Sequence, residues 1–187
     1  SAGASFRGRV TGAVKRSIQA VHQVLPSLAW GDAIGNYVLE LRRAFRSWGL
    51  RSDVFASRAD GPSRGLARNA ADLPARAGGD SIVLVHHSIE SELLPVLRNT
   101  AGRKIVLYHN ITPSQFFEEY DESISRECAR GREELRELAA ISDQGLAYTR
   151  FSGEELSAAG FEQVGIIPFV IDWDAFDVNP EPRLLGR

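Results

Sequence analysis

The stretch Arg103-Lys-Ile-Val-Leu-Tyr-His-Asn-Ile-Thr-Pro-Ser-Gln-Phe-Phe117 decides how this chain is read. Lys104 to Tyr108 is a short apolar run with β-branched Ile105 and Val106 at its centre. It suits a strand buried on both faces of a parallel sheet. The run passes without a linker into His109, Asn110 and Thr112, and Pro113 ends the extended chain. Open α/β sheets build their binding crevices from polar groups delivered at strand C-termini, so the chemistry is expected here.

The flanking sequence repeats the same grammar. Upstream, Ser81 to Val85 reads as another buried strand, ending on His86-His87-Ser88, and a helix is expected from about Glu90 to Arg98. Pro95 should bend or shorten that helix. Downstream, Asp121 to Ile141 reads as a long helix with Ile124, Cys128, Leu135, Leu138 and Ile141 on its apolar stripe, weakened at Gly131. Gly145 to Tyr148 follows as a short strand. In the next helix Ser152 and Glu155 read as a capping box, Phe151 and Leu156 occupy staple positions, and Gly160 closes the element. Val164 to Ile171 reads as the last strand.

Nearer the N-terminus, Ile18 to Leu25 reads as the first strand, stopped by Pro26. A loop over Trp30 to Ala33 leads into a helix whose apolar positions are Ile34, Tyr37, Val38, Leu41, Phe45 and Trp48. Asp32 suits its N-cap and Gly49 the position just past its end. Ser52 to Ala56 reads as a short strand, and Ser57 to Gly79 as an irregular excursion with a short helix around Leu66 to Leu73. Strands alternating with helices predict a Rossmann-like α/β fold: a parallel sheet of about six strands with helices on both faces.

The 187 residues suffice for one domain with a real core and are too few for two of ordinary size. A hydrophobic fraction of 43% with 25% charged residues is that of a soluble globular protein. The net charge of −2 offers no global attraction to nucleic acid or anionic membranes. No apolar run approaches the roughly 20 residues of a membrane-spanning helix. A single cysteine, Cys128, excludes an internal disulfide and fits a reducing cytosol. Residues 1–17 read as a flexible leader, 18–172 as the folded domain, and 173–187, with Pro180 and Pro182, as the start of a linker.

Four segments in order carry a resemblance. They are Gly31-Asp-Ala-Ile-Gly-Asn36, Val85-His-His-Ser88, Tyr108-His-Asn-Ile-Thr-Pro113 with Phe116-Phe117, and Phe151-Ser-Gly-Glu-Glu-Leu-Ser-Ala-Ala-Gly160 leading to Ile167-Pro168 and Asp172. Together they resemble the N-terminal half of bacterial retaining glycosyltransferases of family 4, which have the two-domain GT-B fold. The resemblance implies transfer of a sugar from a nucleotide sugar to a carbohydrate or lipid-linked hydroxyl acceptor, with retained configuration and no catalytic metal. It implies no cofactor beyond the donor, which a C-terminal domain missing from this chain would bind. It also implies a cytoplasmic location, with or without peripheral membrane contact. One departure stands out: the family often has a Gly-Gly pair where this chain has Asp32-Ala33.

By that resemblance His109 lies near the transferred sugar and the acceptor, and it is the expected catalytic residue; a buried histidine satisfied by a backbone carbonyl is the alternative. Gly31, Asp32 and Ala33 form a loop at a helix N-terminus that can face phosphate, and Asp32 can serve as cap, as acceptor contact or as both. His86, Asn110 and Thr112 are the other expected contacts, and Arg150 can face an anion. His86 and His87 are adjacent, so at most one should reach the crevice directly. No ligand spacing for a metal accompanies the histidines. Ser88, Ser114 and Ser152 lack a nucleophile elbow, so a small hydrolase has no motif support. The rival class is a stand-alone ligand-binding module of flavodoxin-like or periplasmic-binding architecture.

Overall fold

The computed structural model describes residues 17–169. Seven strands form one all-parallel sheet: β1 (Ala20–Leu28), β2 (Val54–Ala59), β3 (Arg68–Asn69), β4 (Ser81–His87), β5 (Arg103–Tyr108), β6 (Gln144–Ala147) and β7 (Val164–Ile166). Their spatial order is β3-β2-β1-β4-β5-β6-β7. The helices are α1 (Ala33–Ser47), α2 (Leu73–Arg76), α3 (Leu94–Arg98), α4 (Glu122–Ile141) and α5 (Arg150–Ala159). This is the expected α/β architecture. The chain moves from β1 through β2 to β3 in one direction, then returns across the sheet to β4 and moves outward to β7 in the other. Right-handed crossovers therefore place α1 on one face and the later helices on the opposite face.

Side-chain alternation sorts the core accordingly. Val83 and Val85 of β4 and Val106 and Tyr108 of β5 pack under the later helices, against Leu97, Cys128, Leu135, Leu138 and Leu156. Leu84 and Leu107 point the other way, toward Tyr37, Leu41 and Phe45 of α1. The reversal of strand order between β1 and β4 creates the crevice that α/β sheets use for ligands.

Several boundaries differ from expectation. β1 runs through Pro26 to Leu28 instead of stopping there. Val21 and Gln23 donate their N–H groups toward β2, so by alternation the N–H that Pro26 lacks would face β4. The β1–β4 ladder ends at Val24–Val85, so no bond is lost. β2 begins at Val54 and reaches Ala59, and the irregular excursion contains the two-residue β3, which raises the sheet to seven strands. The helix before β5 starts only at Leu94, with Pro95 in its first turn, where a missing N–H costs nothing. β7 ends at Ile166, although extended chain was expected onward to Ile171. The expected leader, apart from Ser17, and residues 170–187, which include the linker, lie outside the described residues.

Helix ends follow their predicted chemistry at α1: Asp32 accepts the N–H of Gly35, and Gly49 follows the helix with φ 79°. Leu50 N–H donates to Phe45 and Gly49 N–H to Arg46, which completes a Schellman motif. Gly131 in α4 is a close approach and no flaw in the helix. A Cβ there would lie 2.6 Å from the Glu90 backbone nitrogen and 2.9 Å from Ile111 Cδ1. No helix among the described residues is long and apolar enough to cross a membrane.

Candidate functional site

Tyr108 anchors the segment that carries the site. Its hydroxyl is buried beneath α4 and α5, donates to Glu155 Oε2 at 3.0 Å and accepts the Ile111 N–H at 3.1 Å. Arg132 of α4 pairs with Glu155 and donates to the Ile111 carbonyl. Burial and the Glu155 carboxylate push the Tyr108 phenol up to about 12, so it stays a donor throughout the physiological range. The loop leaving β5 is thus fixed to two helices.

That anchorage explains the backbone at Asn110, which has φ 59° and is the only non-glycine residue with positive φ among the described residues. Asparagine tolerates the left-handed region better than most side chains, and such geometry persists where surroundings hold it. Ser152 Oγ donates to Asn110 Oδ1 at 3.2 Å, and the amide N–H₂ of this exposed residue has no hydrogen-bond partner among the described residues.

His109 is half-buried on the α1 face. Its ring stands 5.5 Å from Tyr148 and 6.5 Å from Tyr37, centroid to centroid. Phe169 stacks on Tyr37 at 4.5 Å. Burial, aided by His87, pushes His109 down to about 4, so the imidazole is neutral at pH 7. Behind it, His86 Nδ1 lies 3.0 Å from His109 Nε2, and His86 Nε2 lies 3.0 Å from Gln23 Oε1. His86 is 1% exposed and held well below the usual histidine range by burial. It therefore reaches a ligand only through His109.

His87 points to the opposite face, where its Nε2 meets the Gly131 carbonyl at 2.8 Å. The alternation expected for the adjacent pair holds, and His87 is the histidine satisfied by a carbonyl. The remaining expected contacts are exposed: Gly31, Asp32 and Ala33 in the β1–α1 loop, Thr112 after β5, and Arg150 in the first turn of α5. Gly31 has φ 83°, and nothing lies within 4 Å of where its Cβ would be. Asp32 is confirmed as the α1 cap. Among the described residues, no group of three or more His, Cys, Asp or Glu side chains is arranged to hold a metal ion.

The capping box assigned to Ser152 and Glu155 is corrected. Thr149 caps α5: its Oγ1 accepts the Ser152 N–H at 3.1 Å, while Ser152 is buried in the first turn. Glu155 faces Tyr108 and Arg132. Its competing partners lie far away in sequence, which local pattern cannot register. Gln23, Tyr37 and Tyr148, which surround the two histidines, are not among the contacts expected from sequence. Gln23 carried a signal, being an amide in the middle of an apolar strand; the tyrosines looked like ordinary core positions.

No protein-family model matches the chain, and no curated protein matches it. The arrangement itself offers a neutral imidazole, an amide donor, aromatic walls and a helix N-terminus at one rim, a combination suited to orienting a polar, hydroxyl-bearing ligand.

Proposed function

We propose that this chain is the N-terminal, acceptor-side domain of a retaining glycosyltransferase with a GT-B fold. One observation carries the reading. The four resembling segments begin at the C-terminal ends of β1, β4, β5 and β6, four neighbouring strands beside the topological switch point; the fourth then runs along α5, and its Asp172 lies outside the described residues. On this reading the crevice holds sugar and acceptor, and a second domain supplies most of the donor contacts. His109 orients a hydroxyl of the sugar or acceptor, and being neutral it does so without placing positive charge against the developing oxocarbenium centre. Asn110 and the Gly31 loop contribute donors, and Arg150 draws the anionic part of the donor toward α5.

The test is a transfer assay with a panel of nucleotide sugars on the full-length gene product, with the 187-residue chain beside it. Transfer with retention by the former and none by the latter supports the proposal. Turnover by the 187-residue chain alone, or a gene with no second, donor-binding domain, removes it. In the second case the non-catalytic binding module becomes the better reading.

A further inference from the structure

The hydrogen bonds behind His109 have a fixed direction. Val38 presents a main-chain carbonyl, which can only accept, and Gln23 Nε2 lies 2.9 Å from it. That contact fixes the amide orientation and turns Gln23 Oε1, an acceptor, toward His86 Nε2 at 3.0 Å. His86 Nε2 must then carry the proton. Because His86 is fully buried and neutral, its Nδ1 is a bare lone pair, facing His109 Nε2 at 3.0 Å. His109 Nε2 must in turn be protonated. The opposite assignment would set a lone pair of His86 Nε2 against Gln23 Oε1 inside the sheet, with no water to relieve it. Only Nδ1 of His109 is left over. It has no hydrogen-bond partner among the described residues, and it is not among their solvent-sealed polar atoms.

We propose that Gln23 and His86 are positioning residues that lock His109 in the Nε2–H tautomer, so that its Nδ1 serves the crevice as a hydrogen-bond acceptor for a ligand hydroxyl. The tautomer is independent of the glycosyltransferase reading; only the identification of that hydroxyl with a sugar or acceptor rests on it. The three side chains alternate onto one face of β1, β4 and β5, and all three are needed. A neutral imidazole without the relay would divide between tautomers and present a donor N–H to the ligand part of the time. The relay removes that ambiguity and favours groups that donate over groups that only accept.

The experiment is long-range ¹⁵N–¹H correlation NMR of the histidine side chains in the 187-residue protein at neutral pH. The expected result is a protonated Nε2 and an unprotonated Nδ1 for both His86 and His109. In Gln23→Leu, with an otherwise unchanged amide spectrum, both rings should shift to mixed tautomers. A His109 protonated on Nδ1 in the wild type overturns the proposal, and this outcome needs no variant to fold. So does a His109 signature that Gln23→Leu leaves untouched. Absence of glycosyl transfer in the separate assay, with the tautomer as stated, would sink the functional reading and leave the relay standing.

Discussion

The two faces of the sheet are built for different ends. Beneath α2 to α5 lies one continuous apolar cluster running from Phe55 through Val85 and Leu138 to Leu156. Across the sheet α1 is the one α-helix over the strands among the described residues. Beside it an open groove of about 540 Å³ leaves Ile82, Ile105 and Leu146 as its floor and the rim residue Trp48 70% exposed. Gln23, His86 and His109 all lie on this thinner face, Gln23 in the middle of β1 and the two histidines at the C-terminal ends of β4 and β5. The contrast shows a division of labour along a single periodicity. In β4 and β5 alternate residues hold the fold together, and those between them end in chemistry.

The difference should be large in stability. Leu138, 1% exposed in the filled face, should cost about 2–5 kcal/mol on truncation to alanine, because a cavity is left that its neighbours cannot fill. Leu41, half-buried beside the groove, should cost about 1 kcal/mol, since part of its surface already meets water. Denaturant unfolding of the two variants measures both. Equal losses would mean that the α1 face is as tightly built as its opposite, and the contrast would collapse.

Function should show the reverse asymmetry. If the proposed role holds, His109→Ala in the full-length gene product lowers kcat by roughly 10²-fold, about 2.7 kcal/mol in the transition state. Its stability loss should stay near 1 kcal/mol, because water can enter beside His86 once the ring is gone. Near-normal turnover with a marked fall in melting temperature would make His109 a structural residue.

Acid should attack both faces through their histidines. His87 under α4 and His109 on the α1 side are each pushed down to about 4 by burial, and burial holds His86 well below the usual histidine range. Above the ordinary value of 6.5 neither folded nor unfolded chain protonates them, so they are neutral toward stability. Between about 6.5 and 4 the unfolded chain takes up protons that the folded one refuses, and each group costs about 1.4 kcal/mol per pH unit. His22 is lowered by burial as well, so Glu134, raised by burial, opposes this as one group against four. Unfolding free energy should thus fall steadily as pH drops from 7 to 5. A flat profile would show that the imidazoles are charged or solvated in the folded protein.

What was legible in the sequence divides along the same line. Strand and helix identities were readable because period-2 and period-3.6 patterns are local, and the segment at Tyr108 to Pro113 could be placed at a strand end for the same reason. The partners of the site were not. Gln23 lies 63 residues before His86, and their contact exists only because β1 and β4 became neighbours at the switch point. Gly131 looked like a weakness in α4 until the backbone at Ile89 and Glu90 came to rest against it. Glu155 matched a capping box by spacing, yet Arg132 and Tyr108 hold it.

The smallest expected effects lie at α5, where two hydroxyls share one helix start but face different tasks. Thr149 caps the helix, and Thr149→Ala should cost about 1 kcal/mol by removing the acceptor for the Ser152 N–H. Ser152→Ala leaves that acceptor in place. It removes the bond to Asn110 Oδ1, the contact that helps hold the left-handed backbone beside His109. Its stability cost should be lower, a few tenths of a kcal/mol, since the Asn110 amide is exposed and can turn to water. Its effect should instead appear in the amide spectrum of His109 to Thr112, which Thr149→Ala ought to leave nearly unmoved. Should Ser152→Ala prove the more destabilising of the pair and leave those amides in place, the cap would belong to Ser152 after all. The loop beside His109 would then be held by Tyr108, Glu155 and Arg132 alone.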